Sequence, residues 1–311
     1  MFVLSRFINK HNLTDHFKDN ALTYWHPLAD EIVNWCQHQY QQHTPIFVGV
    51  NGCQGSGKST LCQYLKQYLH NNYQLNVVCL SLDDFYLSSN ERAKHGKSIH
   101  PLFATRGVPG THNIPLLTHI LNKLTALSER QELTLPQFDK LTDEPLAIDF
   151  CPKIAGKVDV VLFEGWCWGV AAQDDKQLTV PINRLEKHYD PLLVWRKTIN
   201  QLLKQDYMPL YQQMHYWLML KAPNFDCVYQ WRLEQEQKML TQYRAKSAKS
   251  LMTNKLLKAM SAEEVASFVE YFQRLTEHAL IDLPPKMDKV FILNANREVI
   301  GVQSKTRKEQ M

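Results

Sequence analysis

Residues 52–59, with the sequence GCQGSGKS, constrain the fold of this chain more than any other segment. They follow a short apolar run at residues 45–50 and precede residues 60–69, whose apolar side chains recur at helical spacing. A buried strand, a glycine-rich loop and a helix in this order can bind phosphate, because the glycines let backbone N–H groups surround the oxygens and the helix N-terminus adds partial positive charge. We therefore expect this segment to bind the phosphates of a nucleotide through Gly52, Cys53, Gln54, Gly55, Ser56, Gly57, Lys58, Ser59 and Thr60.

Two side chains of this loop have specific predicted roles. Lys58 can reach the β- and γ-phosphates, which makes it a candidate catalytic residue, and the Ser59 hydroxyl is a candidate Mg²⁺ ligand. ATP and Mg²⁺ are therefore the expected cofactors. Cys53 lies close to a helix N-terminus, a position that lowers the pKa of a thiol, so the loop is also a candidate for sensitivity to oxidants.

The composition is that of an ordinary globular protein. With 311 residues, 44% of them hydrophobic and 21% charged, the chain is long enough for one large α/β domain or two small ones. Because no internal repeat or low-complexity linker is present, we interpret residues 1–311 as a single domain with a helical N-terminal extension at 1–43 and a core at about 45–300. The formal net charge of +4 suits a small anionic substrate and does not require nucleic acid as a partner.

The cysteines and the hydropathy pattern predict the compartment. The seven cysteines include no C-x-x-C pair, and several lie within apolar strand or helix patterns, as free buried thiols do in a reducing compartment. The N-terminal apolar stretch is too short for a signal peptide, and no run approaches the roughly 18 apolar residues of a membrane span. We expect a cytoplasmic protein without a membrane segment, and the oligomeric state stays open.

Apolar runs that alternate with helical patterns predict an α/β fold. Beyond the first strand, such runs lie at residues 75–82, 158–165, 215–220 and 290–293. Helical spacing is found at residues 14–43, 114–127, 183–213, 225–244 and, after a capping box, 261–278. Strands that alternate with helices indicate a mostly parallel β-sheet with helices on both faces.

Acidic residues follow two of the predicted strands. Glu164 ends the run at 158–165, where a carboxylate would hold Mg²⁺ or its waters beside the phosphate-binding loop. Asp83 and Asp84 follow the run at 75–82, and one of them could accept the proton of a substrate hydroxyl. We assign this role to Asp83, which is also a candidate metal ligand. The alternatives are Asp84 as the base, or an aspartate that only caps a helix.

Four further candidates lie in segments rich in glycine and proline, where substrate contacts commonly collect. These candidate substrate-binding residues are Arg106, His112, Asp139 and Lys140. A guanidinium group such as that of Arg106 can bind a carboxylate through two hydrogen bonds. Each of the four could instead be an ordinary surface group, and His112 could cap the helix that follows it.

Arg232 has two interpretations. Its spacing to Glu236 is i, i+4, which is typical of a salt bridge on the surface of a helix. The other interpretation is a catalytic cation on a lid that covers the transferred phosphoryl group.

An ordered set of motifs resembles the D-glycerate 3-kinase family, which belongs to the P-loop kinases together with phosphoribulokinase, uridine kinase and bacterial pantothenate kinase. The resemblance covers most of residues 45–300. It rests on residues 52–59, SLDDFYL at 81–87, TRGVPGTH at 105–112, PQFDK at 136–140, FEGW at 163–166, INRLE at 182–186 and WRLEQE at 231–236.

This resemblance implies a P-loop NTPase fold and transfer of the γ-phosphoryl group of ATP to the 3-hydroxyl of glycerate. It also implies that Asp83 is the base, and it favours Arg232 as a lid residue. One position departs from the family pattern, because Gln137 stands where the family has an arginine. If that arginine contacts the substrate anion, this chain would prefer another small hydroxyl compound. The alternatives are therefore a nucleoside or pantothenate-like kinase, or a nucleotide-dependent regulatory protein.

Overall fold

The computed structural model describes residues 2–39, 44–247 and 260–305. Its strands, numbered along the chain, are β1 (Ile46–Gly52), β2 (Val77–Ser81), β3 (Glu132–Thr134), β4 (Phe138–Asp139), β5 (Glu144–Pro145), β6 (Lys153–Ala155), β7 (Val160–Gly165), β8 (Tyr216–Lys221), β9 (Lys289–Leu293) and β10 (Val299–Ser304). Its helices are α1 (Leu4–His11), α2 (Asp15–Asn20), α3 (His26–Gln39), α4 (Lys58–Tyr73), α5 (Ser89–Ser98), α6 (Ile114–Thr125), α7 (Arg184–Tyr189), α8 (Val194–Leu202), α9 (Met208–Tyr211), α10 (Asp226–Ser247) and α11 (Ala262–Asp282).

The main sheet has the strand order β10-β9-β8-β1-β7-β2. Strands β9, β8, β1, β7 and β2 are parallel to their neighbours, and β10 pairs with β9 in the antiparallel direction. The prediction of a mostly parallel sheet is confirmed. The strand β10 was missed, because it lies at the margin of the expected core and returns through a tight turn rather than through a helix.

Both faces of the sheet are covered, as predicted. Alternate side chains of β1 point to opposite faces, so that Phe47 joins one apolar cluster while Val48 and Val50 join the other. The cluster with Phe47 contains buried side chains of α6, α8 and α11. The opposite cluster contains side chains of the N-terminal helices and of α4, including Trp25 and Leu65. The segment predicted as an extension therefore packs directly on the sheet.

The helix predicted over residues 183–213 is interrupted. It forms α7, α8 and α9, with a break at residues 190–193, where Leu193 has a φ of 64°. Pro191 explains the break, because a proline disfavours the helical conformation of the residue before it and cannot donate the helical hydrogen bond. The predicted capping box at residues 261–264 is present at the start of α11.

A buried ionic network joins α7 to α11. Arg274 donates two hydrogen bonds of 2.6 Å to the carboxylate of Glu186, which is only 1% exposed. Arg196 lies 3.7 Å from the same carboxylate and 3.4 Å from Asp190, which is also buried. These charges satisfy one another, so removal of one leaves its partners without compensation in a medium of low polarity.

We expect Glu186→Gln to lower the free energy of unfolding by about 3 kcal/mol, because Arg274 then faces no carboxylate. Urea denaturation followed by circular dichroism measures this change. The matched control is Arg184→Ala, which removes a side chain 75% exposed whose salt bridge to Glu270 spans 3.4 Å. This control should cost less than about 1 kcal/mol, and equal losses in the two variants would contradict the assignment.

Candidate functional site

The sheet order brings three strand ends together. Strand β7 lies between β1 and β2, and its Glu164 is in register with Val50 of β1 and Ser81 of β2. The glycine-rich loop after β1, the carboxylate of Glu164 and the acidic pair after β2 therefore meet at the carboxyl edge of the sheet. This edge is where open parallel sheets bind their ligands.

The glycine-rich loop has the conformation that its sequence predicts. Gly55 and Gly57 have φ values of 76° and 94°, which side chains with a Cβ rarely adopt. A Cβ at position 55 would also lie 2.6 Å from the Cβ of Trp231. Arg297 donates from Nε to the carbonyl oxygen of Gly55 over 2.7 Å. The loop is thus held from behind by α10 and by the turn between β9 and β10.

Side chains of the phosphate-binding loop and of the neighbouring strand β7 fit a metal ion and a phosphate. The Ser59 hydroxyl donates to Glu164 over 2.5 Å, and Lys58 Nζ lies 3.7 Å from the same carboxylate. Paired hydroxyl and carboxylate oxygens suit Mg²⁺, which otherwise keeps water and phosphate oxygens as ligands. Among the described residues, the buried Ser56 hydroxyl and the buried amide atoms of Gln54 have no hydrogen-bond partner, which fits a polar ligand in this loop.

Asp83 lies beside the phosphate-binding loop with both carboxylate oxygens engaged. Lys140 Nζ donates to Oδ2 over 2.5 Å, and the Tyr86 hydroxyl donates to Oδ1 over 3.0 Å. Burial raises the pKa of Asp83, but the cations of Lys140 and Lys58 outweigh burial and hold this pKa well below its usual range. Asp83 is therefore ionised at neutral pH.

Asp84 lies in a different environment. Burial raises its pKa to about 7, and the neighbouring carboxylates of Asp83 and Glu164 add to the rise. Its Oδ1 accepts a hydrogen bond of 3.4 Å from the backbone of Phe138, which ties the loop after β2 to β4. Neither aspartate caps the short helix that they occupy, because the Ser81 side chain accepts from the backbone N–H of Asp83. The helix-cap alternative is therefore wrong.

The four loop candidates divide into two groups. Arg106 and Lys140 line the same cleft as Asp83, where Arg106 also forms an ion pair with Asp143. Asp139 does not line the cleft. Its carboxylate accepts local hydrogen bonds from Leu141 and Thr142, over 2.9 Å each, and so shapes the turn that carries Lys140.

His112 is buried behind Tyr86 rather than exposed to the cleft. Its ring stacks on that of Tyr86 with centroids 4.5 Å apart, and its Nδ1 lies 2.7 Å from the hydroxyl of Tyr207. Burial lowers the pKa of His112 to about 3, so the imidazole is neutral. The following helix is capped by Asn113, not by His112. The expectation that His112 contacts substrate directly is therefore corrected, since its side chain supports Tyr86.

The salt-bridge interpretation of Arg232 is confirmed, and its catalytic role stays a prediction. Arg232 forms the ion pair with Glu236 on α10, and its guanidinium also lines the cleft, with Cζ 5.2 Å from the centre of the Phe268 ring. Among the described residues, its buried Nε has no hydrogen-bond partner. The cleft opens to solvent, and its walls are formed by Gln54, Lys58, Asp83, Tyr86, Arg106, Lys140, Trp166, Arg232, Phe268 and Phe272.

Sequence reasoning missed several residues of the site and misjudged Cys53 as well as His112. Tyr86 and Trp166 lie inside motifs that carried the resemblance, so a signal for them existed. Arg297 follows no motif and is recognisable only in three dimensions. The expectation for Cys53 is wrong, because the thiol is buried among apolar side chains and burial raises its pKa to about 12.

The chain is similar to known kinases along most of its length. The uncharacterized kinase mug58 of Schizosaccharomyces pombe is 31% identical over 257 residues, which cover 79% of this chain and 85% of that protein. The chloroplastic D-glycerate 3-kinase of Arabidopsis thaliana is 27% identical over 289 residues, which cover 85% of this chain and 56% of that enzyme. No family model matches the chain.

A solved structure supports the same relationship. D-glycerate 3-kinase from Cryptococcus neoformans superimposes with a TM-score of 0.73 at 29% identity, covering 91% of this chain and 99% of that one. Together with the site, these likenesses define the class, an ATP-dependent kinase with a P-loop NTPase fold. The chain belongs to the D-glycerate 3-kinase family. Within residues 2–39, 44–247 and 260–305, no helix is both long and apolar enough to cross a membrane.

We expect Ser59→Ala to raise the Mg²⁺ concentration that gives half-maximal kinase activity about tenfold, because one oxygen ligand is lost. The measurement is ADP release as a function of free Mg²⁺ at saturating ATP. Ser59→Thr is the matched control, because it keeps the hydroxyl and should stay within about threefold of the parent. An unchanged Mg²⁺ dependence in Ser59→Ala would remove Ser59 from the metal site.

Proposed function

We propose that this chain is an ATP- and Mg²⁺-dependent kinase that transfers the γ-phosphoryl group to the 3-hydroxyl of D-glycerate. The observation that carries the proposal is the charge of the cleft beside the phosphate-binding loop. Among the described residues that line it, Lys58, Arg106, Lys140 and Arg232 are cationic, and Asp83 alone is anionic. Such a cleft favours a small acceptor that itself carries a negative charge. The D-glycerate 3-kinases of Arabidopsis and Cryptococcus among the similar proteins agree with this substrate.

The residues of the cleft supply the roles that phosphoryl transfer requires. Lys58, Ser59 and the loop amides are proposed to hold the phosphates, with Ser59 and Glu164 as supports for the metal, whose charge would offset that of the phosphate oxygens. Asp83 accepts the proton of the acceptor hydroxyl while the hydroxyl oxygen bonds to the γ-phosphorus and the bond to the β-phosphate oxygen breaks. We propose Asp83 as the base rather than as a metal ligand, because it is ionised and lines the cleft, whereas Glu164 and Ser59 already contact each other at the proposed metal site.

Arg106 and Lys140 are the proposed anchors for the acceptor carboxylate, and Arg232 is the proposed cation over the transferred phosphoryl group. The guanidinium of Arg106 forms an ion pair with Asp143, which holds it in place at the cleft wall. The replacement of the family arginine by Gln137 does not argue against glycerate as the substrate. Gln137 is exposed and lies outside the set of residues that line the cleft. All seven cysteines are free thiols, which supports a reducing compartment such as the cytoplasm.

An acceptor screen with purified protein, ATP and Mg²⁺ tests the substrate. We expect ADP release to require an acceptor and to be fastest with D-glycerate, when compared with pantothenate, uridine and ribulose 5-phosphate. Lys58→Ala is the control, because it removes the phosphate-binding cation and should abolish transfer. Preference for another of these compounds would overturn the substrate assignment. ATP binding without turnover on any acceptor would favour the regulatory alternative.

The pair formed by Lys140 and Asp83 predicts a change in pH dependence. A nearby cation lowers the pKa of an aspartate by about 1–3 units, whereas burial alone raises it. In Lys140→Met the more distant cation of Lys58 remains but the direct contact is lost, so the pKa of Asp83 rises. The acidic limb of the profile of kcat/KM against pH should therefore move upward by at least about one unit.

Two controls accompany this measurement. Lys140→Arg keeps the positive charge, so its acidic limb should stay near that of the parent. Asp83→Asn removes the titrating group and should bind ATP while losing most of its turnover. Acidic limbs that coincide in the parent and in Lys140→Met would show that Asp83 is not the group whose ionisation limits the rate, and Asp84 would replace it as the candidate base.

A further inference from the structure

The side chain of Gln54 lines the cleft beside the phosphate-binding loop, called the acceptor cleft below. Its position in the loop suggests only a backbone role. Both side-chain atoms, Oε1 and Nε2, are buried and have no hydrogen-bond partner among the described residues. Buried amide groups rarely remain unpaired in folded proteins. Because both atoms lack a partner, this conclusion does not depend on which way the amide group is turned.

The backbone beside Gln54 is held firmly, which fixes the point from which the side chain enters the cleft. The next residue, Gly55, accepts a hydrogen bond of 2.7 Å from Arg297, and its Cα packs against Trp231. Trp231 is itself fixed by a hydrogen bond of 2.8 Å from Nε1 to the carbonyl of Ala295. A site residue held in this way is preorganised for a ligand.

The chemistry of the cleft defines what the amide can bind. The four cations that line it can only donate hydrogen bonds. Apart from the Asp83 carboxylate and the Tyr86 hydroxyl, Gln54 supplies the one oxygen acceptor among the described side chains of the lining. A second unpaired group in the same lining, Nε of Arg232, is a donor. An unpaired amide and an unpaired guanidinium donor that line the same cleft complement a hydroxyl group that is adjacent to a carboxylate.

We propose that the Gln54 side chain binds the hydroxyl group on the carbon next to the acceptor carboxylate, and thereby makes the enzyme selective for α-hydroxy acids. The hydroxyl donates to Oε1, and Nε2 donates to the hydroxyl or carboxylate oxygen. The inference rests on the proposed function, since it assumes that the acceptor is D-glycerate. It adds a specificity role for a side chain whose backbone is proposed to contact phosphate.

Two acceptors that differ only at this hydroxyl test the inference. D-glycerate carries it, and 3-hydroxypropanoate lacks it while keeping the reacting hydroxyl and the carboxylate. For the parent enzyme we expect kcat/KM to favour D-glycerate by about 100-fold, since a site built around a polar group rejects the analogue without it. In Gln54→Leu this ratio should fall below about fivefold, because the loss is far greater for D-glycerate than for 3-hydroxypropanoate.

Further variants separate this role from a structural one. Gln54→Asn keeps an amide but withdraws it from the ligand, and should lose selectivity in the same direction. Gln201→Leu makes the same substitution on the exposed surface of α8, so its ratio should equal that of the parent. Michaelis constants for ATP and thermal melting are measured on each variant.

Each outcome decides between the inference and the proposed function. A ratio that is unchanged in both Gln54 variants, while the parent phosphorylates D-glycerate, overturns the inference and leaves the proposed function intact. A loss that is equal for both acceptors, or that is accounted for by weaker ATP binding, also overturns the inference. If the parent fails to phosphorylate D-glycerate, the proposed function falls, and the inference falls with it.

Discussion

The parallel pairing of β7 between β1 and β2 is the constraint on which the site depends. Backbone hydrogen bonds hold Glu164 level with the ends of the two neighbouring strands, so that the phosphate-binding loop and Asp83 lie on either side of it. A slip of one residue in β7 would turn Glu164 toward the opposite face, because successive side chains alternate. Burial stabilises this register, since every residue of β1 and β7 lies in the interior.

The ionisation states of the two aspartates at the cleft differ because their neighbouring groups differ. Asp83 and Asp84 are adjacent in sequence and both are largely withdrawn from water, yet their pKa values move in opposite directions. The difference arises from Lys140, which contacts Asp83 directly, whereas within the described part of the chain Asp84 accepts its hydrogen bond from the backbone N–H of Phe138. An ionised carboxylate and a partly protonated one can therefore coexist at neutral pH, and only the ionised group is ready to accept a proton.

The sequence predicts what depends on local pattern and fails where distant residues meet. The loop at residues 52–59 and the capping box of α11 were recognisable because backbone conformation there follows from a few adjacent residues. The strand β10 and Arg297 were not, since their importance comes from contact with β9 and with Gly55. The burial of Cys53 was missed for the same reason: proximity to a helix N-terminus is visible in the sequence, whereas the apolar side chains around the thiol are not.

Helix α10 connects the two halves of the site through adjacent residues. Trp231 packs behind the phosphate-binding loop and Arg232 lines the acceptor cleft, because neighbouring positions on a helix point about 100° apart. Arg297 reinforces the arrangement, since it bonds to Gly55 and forms an ion pair of 2.7 Å with Glu234 on the same helix. Packed and hydrogen-bonded groups therefore connect the loop to the helix that carries Arg232.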